Sequence, residues 1–196
     1  MPDFSAWSQQ VEIIAVLLSF AYLYLLIKEN KWCWWFGIAS SGISIFLFID
    51  SKLYAEAILY CYYVIIGLYG FWLWNKKMKQ ASSRFEVSLM TLNQHVKWIG
   101  IGILGAVGLG YLLDHKTDAD KAYLDSTTTI FSFIASYFET KKLLGAWTYW
   151  VIINLITVFL YFSKELYYYT GMQIVYTIFS IVGYYQWKKQ LAQPVS

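Results

Sequence analysis

Residues 10–28 read QVEIIAVLLSFAYLYLLIK, with one carboxylate, Glu12, and no further charge until Lys28. A helix of about 20 mostly apolar residues is what crosses roughly 30 Å of hydrocarbon, so this stretch is expected to span a membrane. Lys28-Glu29-Asn30-Lys31 closes it like a stop-transfer flank. Met1 to Gln10 carries no basic region and no small-residue cleavage site follows, so the segment is read as a retained helix. Six further apolar runs lie outward from it, at about 33–49, 53–74, 98–114, 122–139, 146–163 and 166–187. The expected fold is all-α and integral to the membrane, with seven transmembrane helices. Composition agrees: 59% of the 196 residues are apolar and only 14% charged, against roughly 25% charged in soluble domains.

Cys33 and Cys61 have no metal-ligand spacing and read as small buried hydrophobes. Trp32, Trp34, Trp35, Trp72, Trp74, Trp147, Trp150 and Trp187 fall near span ends, the position of interfacial aromatic belts. The fifth span opens Tyr123-Leu124-Asp125-Ser126-Thr127-Thr128-Thr129. A helix this polar cannot face lipid on every side, so it is expected to face the bundle interior.

Lysine and arginine set the orientation. With seven spans, Lys28, Lys31, Lys76, Lys77, Lys79, Arg84, Lys97, Lys141, Lys142, Lys188 and Lys189 share one side, and Lys52, Lys116, Lys121 and Lys164 the other. Eleven against four places the N-terminus outside and the C-terminus in the cytoplasm. The long basic loop, Asn75 to Gln94, is then cytoplasmic and expected to be a solvated topogenic segment.

Sliding the chain by 113 residues aligns Glu12–Asn75 with Asp125–Lys188 without a gap, with 14 identities among 64 positions. The identities include Ser19/Ser132, Tyr24/Tyr137, Trp34/Trp147, Tyr63/Tyr176, Gly70/Gly183 and Trp74/Trp187, and span boundaries coincide as well. Two three-helix repeats joined by one spanning helix must run parallel, a 3+1+3 design that agrees with an odd number of spans. The expected division is 1–96 for the first repeat with its cytoplasmic loop, 97–121 for the linker helix and outer loop, and 122–196 for the second repeat.

No catalytic constellation is visible, and no cofactor, metal or nucleic-acid partner is expected. His95 and His115 flank the fourth span from opposite sides, and no nucleophile sits beside a base. Gly100, Gly102, Gly105, Gly108 and Gly110 read as small residues for helix packing. The sixth span carries Trp147, Trp150 and Asn154 at i, i+3 and i+7, one helix face presenting two indoles and an amide at membrane depth. Their first-repeat counterparts are Trp34, Gly37 and Ser41. Anchoring and a helix–helix hydrogen bond would also explain them. Tyr63-Gly70-Trp74 and Tyr176-Gly183-Trp187 form further single-face stripes, suited to packing or to stacking on a flat ligand. Glu12, Glu56 and Asp125 lie near outer span ends, where a carboxylate beside aromatic rings suits a delocalised organic cation, with cation–π attraction of about 0.5–2 kcal/mol.

Trp147-Thr148-Tyr149-Trp150 followed by Asn154, with Leu53-Tyr54-Ala55-Glu56-Ala57, Tyr69-Gly70-Phe71-Trp72-Leu73-Trp74 and Gly183-Tyr184-Tyr185-Gln186-Trp187, resembles the PnuC family of bacterial vitamin transporters. The resemblance runs from the first span to Trp187. It implies a fold like that of the sugar-transporting SWEET proteins, a facilitator in the bacterial inner membrane, a possible homotrimer among membrane lipids, and a ligand site lined by Trp147, Trp150 and Asn154. Family ligands include nicotinamide riboside, thiamine and riboflavin. Riboside-type members usually show glutamine where this chain has Tyr60, whose repeat mate is Gln173. The family's ligands put nicotinamide riboside first, the change at Tyr60 keeps thiamine a close second, and a sugar is third, with Tyr60, Tyr63, Tyr176, Gln173, Asp125 and Glu56 completing the candidate site.

Overall fold

A computed structural model describes residues 6–50, 54–80, 85–116, 121–163, 165 and 167–191. Seven helices account for nearly all of them: α1 (Ala6–Ile27), α2 (Cys33–Asp50), α3 (Tyr54–Gln80), α4 (Leu92–Lys116), α5 (Ala122–Thr140), α6 (Gly145–Ser163) and α7 (Tyr167–Leu191). Hydrocarbon offers the backbone no hydrogen-bond partner, so each apolar run must satisfy its amides internally, and a helix does so. Among the described residues, four helices carry stretches long and apolar enough to cross a membrane by length and composition: Gln10–Ile27, Ala57–Lys79, Leu92–Lys116 and Gly145–Ser163. The described apolar part of α2, Cys33–Leu47, is shorter, while α5 is hydroxyl-rich and α7 tyrosine-rich.

The helices match the expected spans but run further at their polar ends. Hydropathy ends where lysines begin, whereas helical hydrogen bonding does not. So α3 continues through Lys76, Lys77 and Lys79 to Gln80. Helix α4 starts at a capping box six residues before the expected span. Thr91 N–H donates to Gln94 Oε1 at 2.8 Å and Gln94 N–H donates to Thr91 Oγ1 at 3.3 Å, satisfying two otherwise unpaired donors. The expected solvated loop is correspondingly shorter, and part of it is docked. Val87 is buried, Ser88 N–H donates to the Lys142 carbonyl at 3.0 Å, and Leu144 N–H donates to the Ser88 carbonyl at 2.9 Å.

Residues Met1–Phe85 and Glu86–Ser196 form two compact units. In the first, α2 packs against both α1 and α3; in the second, the helices adjoin in the order α4, α5, α6, α7. The fourth helix thus packs on α5. Its glycines divide by face: a Cβ on Gly102 or Gly110 would come within 2.5 Å of the Phe131 or Tyr123 ring, and one on Gly105 within 3.1 Å of Ile130. These let α4 and α5 approach closely. Gly100 and Gly108 meet nothing within 4 Å, so the packing role expected for all five holds for three.

Helix α5 satisfies its own hydroxyls. Ser126, Thr127, Ser132 and Ser136 each donate to the carbonyl four residues back, at 2.7–2.8 Å. Back-bonding of this kind removes the cost of a bare hydroxyl in apolar surroundings. Ser126, Ser132, Ser136 and Thr140 are buried, so the polar face is turned inward as expected. Ile134, Ala135 and Phe138 of α5 form the core of the second unit with Ala146, Tyr149 and Ile153 of α6.

Local structure recurs at the 113-residue spacing. Helix α1 ends with Glu29 N–H donating to the Leu26 carbonyl and Asn30 N–H to the Leu25 carbonyl; α5 ends with Lys142 N–H donating to Glu139 and Leu143 N–H to Phe138, all at 2.9–3.1 Å. This is the Schellman pattern. In both cases the closing residue is left-handed without being glycine, with φ of 54° at Glu29 and 51° at Lys142.

Candidate functional site

Each unit contains one deep aromatic crossing built on a glycine. In the first, Trp34 of α2 lies over Gly70 of α3, where a Cβ would fall 2.6 Å from the indole, and meets Trp74 edge-on at 5.5 Å and 90°. In the second, Trp147 of α6 lies over Gly183 of α7, again 2.6 Å from where a Cβ would sit, and meets Trp187 at 5.2 Å and 87°. Only a residue without a side chain lets the ring lie flat on the neighbouring helix. Trp34, Trp74, Trp147 and Trp187 are all buried, three of them completely. The belt expected at span ends therefore fails for these four. Trp34 and Trp147 are seated on facing glycines and Trp74 and Trp187 pack edge-on against them, while Trp32, Trp35 and Trp72 remain exposed.

The two crossings differ in what surrounds them. In the first unit Tyr22 of α1 fills the space beside Gly37, where a Cβ would lie 3.0 Å from its ring. In the second the corresponding residues are Ala135 and Trp150. Trp150 packs against the core cluster that contains Ala135. A large side chain has moved from the first helix of the unit to the second, so the second unit gains an indole on the same helix as Trp147.

Asn154 lies one turn beyond, 4% exposed, and its Nδ2 donates to Ser180 Oγ of α7 at 3.2 Å. Trp147 and Asn154 thus both face α7, and Trp150 leans toward α5. The amide does form the helix–helix hydrogen bond considered from sequence, using one of its polar atoms. The indole N–H groups of Trp147 and Trp150 are buried with no hydrogen-bond acceptor, as is that of Trp34. Buried donors left unpaired cost roughly 1–3 kcal/mol each. In the second unit two such donors stand on α6 together with a buried amide.

The remaining candidates are distributed among three helices. Tyr176 lends its backbone carbonyl to Ser180 Oγ at 2.8 Å, and Gln173 lends its carbonyl to Thr177 Oγ1 at 2.8 Å; both side chains are half-buried on α7. Asp125 is half-buried in the first turn of α5, where the helix dipole favours a negative charge. Tyr60 and Tyr63 meet edge-to-face at 5.6 Å on α3. The Glu56 side chain lies outside the described residues. Cys33 is buried as expected, but Cys61 is exposed on α3.

Ser180 was not singled out by sequence. A serine amid Ile178, Phe179 and Ile181 reads as one more small helix residue, and its partner is visible only once α6 and α7 are in register. His95 was set aside, yet its ring stacks on Tyr149 at 5.9 Å and 20°, with Nδ1 3.5 Å from the hydroxyl. Tyr149 lies between the two motif tryptophans, so this contact braces the opposite side of α6. Among the described residues no cluster of side chains has the makings of a metal site.

Comparison with known proteins agrees with this picture. The nicotinamide riboside transporter PnuC of Escherichia coli (strain K12) is 21% identical over 206 residues, covering 93% of this chain and 85% of that protein. The protein of the same name from Shigella flexneri matches equally. A crystal structure of the vitamin B3 transporter PnuC superposes with a TM-score of 0.76 at 20% identity, covering 97% of this chain and 84% of that one. The family model described as nicotinamide mononucleotide transporter matches residues 9–189, and the chain accordingly belongs to that family of membrane transporters.

Proposed function

We propose that the chain carries nicotinamide riboside across a membrane by facilitated diffusion, binding it against the α6 face of Trp147, Trp150 and Asn154. The observation that carries this reading is the pair of buried, acceptor-less indole N–H groups beside a buried amide on that face. Nicotinamide riboside combines a flat cationic ring, which stacks on indole, with a carboxamide and hydroxyls that supply hydrogen-bonding atoms. The names of the Escherichia coli and Shigella flexneri relatives point to the same ligand. Asp125, Tyr60, Tyr63, Tyr176, Gln173 and Glu56 are proposed to complete the lining.

The recurrence of cap and crossing at the 113-residue spacing supports two parallel repeats that exchange access by rocking about the α4 linker, in the arrangement of SWEET proteins. The lysine asymmetry supports an outside N-terminus and a cytoplasmic C-terminus in a bacterial inner membrane. A homotrimer in lipid completes the proposal. With no ion coupling, net uptake would depend on trapping inside the cell, such as phosphorylation by a kinase.

The test is calorimetric titration of the purified protein with nicotinamide riboside, thiamine and glucose side by side. Binding of the riboside with the other two silent is the expected result. Thiamine alone would make Tyr60 the mark of a changed specificity, and glucose alone would favour a sugar carrier.

A further inference from the structure

Asn154 can turn either its amide nitrogen or its oxygen toward a ligand, and the choice decides what the ligand must offer. The hydrogen-bond network decides which of the two atoms faces which way. Ser180 Oγ lies 2.8 Å from the Tyr176 carbonyl, which can only accept, so the serine proton is committed there. Toward Asn154, 3.2 Å away, the serine oxygen can then only accept. The atom facing it must be Nδ2, and Oδ1 is held on the other side. Both residues are almost completely buried, 4% and 3% exposed, so water does not scramble the assignment.

We propose that Ser180 is a positioning residue that fixes the polarity of Asn154, presenting Oδ1 as an acceptor so that the ligand group lodged against it must be a donor. This rests on the α6 face being the nicotinamide riboside site. A carboxamide N–H or a ribose hydroxyl meets the requirement, while a methyl in place of the amide nitrogen leaves Oδ1 without a donor and a fluorine in place of a hydroxyl sets acceptor against acceptor in a dry setting. The relay is specific to the second unit. The first-unit counterparts of Asn154 and Ser180 are Ser41 and Gly67, and glycine has no side-chain hydroxyl to act as a relay. There Ile38 occupies the space beside Gly67, where a Cβ would fall 2.8 Å from it.

The experiment is calorimetric titration of the full-length protein with nicotinamide riboside and with analogues stripped of one donor each. These are 3-acetylpyridine riboside, in which methyl replaces the amide nitrogen, and ribosides with fluorine replacing the 2′- or 3′-hydroxyl. Wild type is expected to reject one of these analogues by about tenfold or more relative to nicotinamide riboside. In Ser180→Ala, Asn154 is free to turn over, and that ratio should fall to within about threefold. Ser180→Thr, whose hydroxyl back-bonds to the same carbonyl, should restore it. A ratio unchanged in Ser180→Ala, or a wild type that treats all the analogues alike, overturns the role of Ser180 while leaving the transporter reading standing. A folded wild type silent toward nicotinamide riboside itself overturns the parent reading and takes this inference with it.

Discussion

At the scale of single residues, the glycines under the tryptophans carry the sharpest consequences. Gly183→Ala would drive a methyl to 2.6 Å from the Trp147 ring, which Trp187 blocks from retreating. Overpacking of this kind typically costs about 1–3 kcal/mol, and the variant should melt earlier in detergent. Gly108→Ala meets nothing within 4 Å and gains helix propensity, so it should melt at the wild-type temperature or slightly above, by up to about 1 kcal/mol. At the ligand, Trp150→Ala should weaken nicotinamide riboside binding by about 1–3 kcal/mol, the range for a lost stacking partner. Unchanged affinity by titration would remove that indole from the site. Asp125→Asn should weaken a cationic ligand and spare an uncharged isostere; equal losses would exclude charge pairing.

At the scale of elements, the exchange of bulk between Tyr22/Gly37 and Ala135/Trp150 makes a two-residue prediction. Ala135→Tyr alone sets a new ring against the cluster on which Trp150 packs and should be strongly destabilising. Adding Trp150→Gly recreates the first-unit pair and should recover about 1–3 kcal/mol, the size of coupling between contacting residues. The recovered protein should fold without binding ligand. Thermal unfolding of the two single variants and the double closes the cycle. The capping box is a second element-scale device. Thr91→Ala removes one of its two hydrogen bonds and should cost about 1 kcal/mol, read as faster amide exchange confined to the first turn of α4.

At the scale of the whole molecule, orientation is open to direct test. Lys77→Cys and Lys116→Cys, in a background where exposed Cys61 is replaced, should label from opposite sides of the membrane, with position 77 on the cytoplasmic side. Seven helices and their order were legible in the sequence because the length of an apolar run is set by bilayer thickness. The boundaries were less so. Lys76 to Gln80 remain helical although hydropathy has ended, and the Thr91-Gln94 box is a polar signal that a search for apolar runs passes over. The candidate face on α6 was legible, since Trp147, Trp150 and Asn154 share it by spacing alone. It was illegible wherever meaning depends on a second helix. Trp34, Trp74 and Trp187 stand at span ends like belt residues, and only the neighbouring helix shows that they turn inward: Trp34 lies over Gly70, while Trp74 and Trp187 pack edge-on against Trp34 and Trp147. Ser180 means nothing until α7 lies in register with α6.

The perpendicular indole pairs have an optical consequence. Two indoles at 5.2–5.5 Å in a rigid edge-on arrangement couple their electronic transitions, and such coupling leaves a paired signature of opposite signs in far-ultraviolet circular dichroism. The chain therefore carries two chromophores of like geometry, one in each unit. The Trp147–Trp187 pair shares a helix with Trp150 and Asn154, while the Trp34–Trp74 pair lies in the other unit. Replacing Trp74 with phenylalanine should remove the first-unit couplet and leave that of the Trp147–Trp187 pair, so that the packing of the second unit can be followed with no label attached.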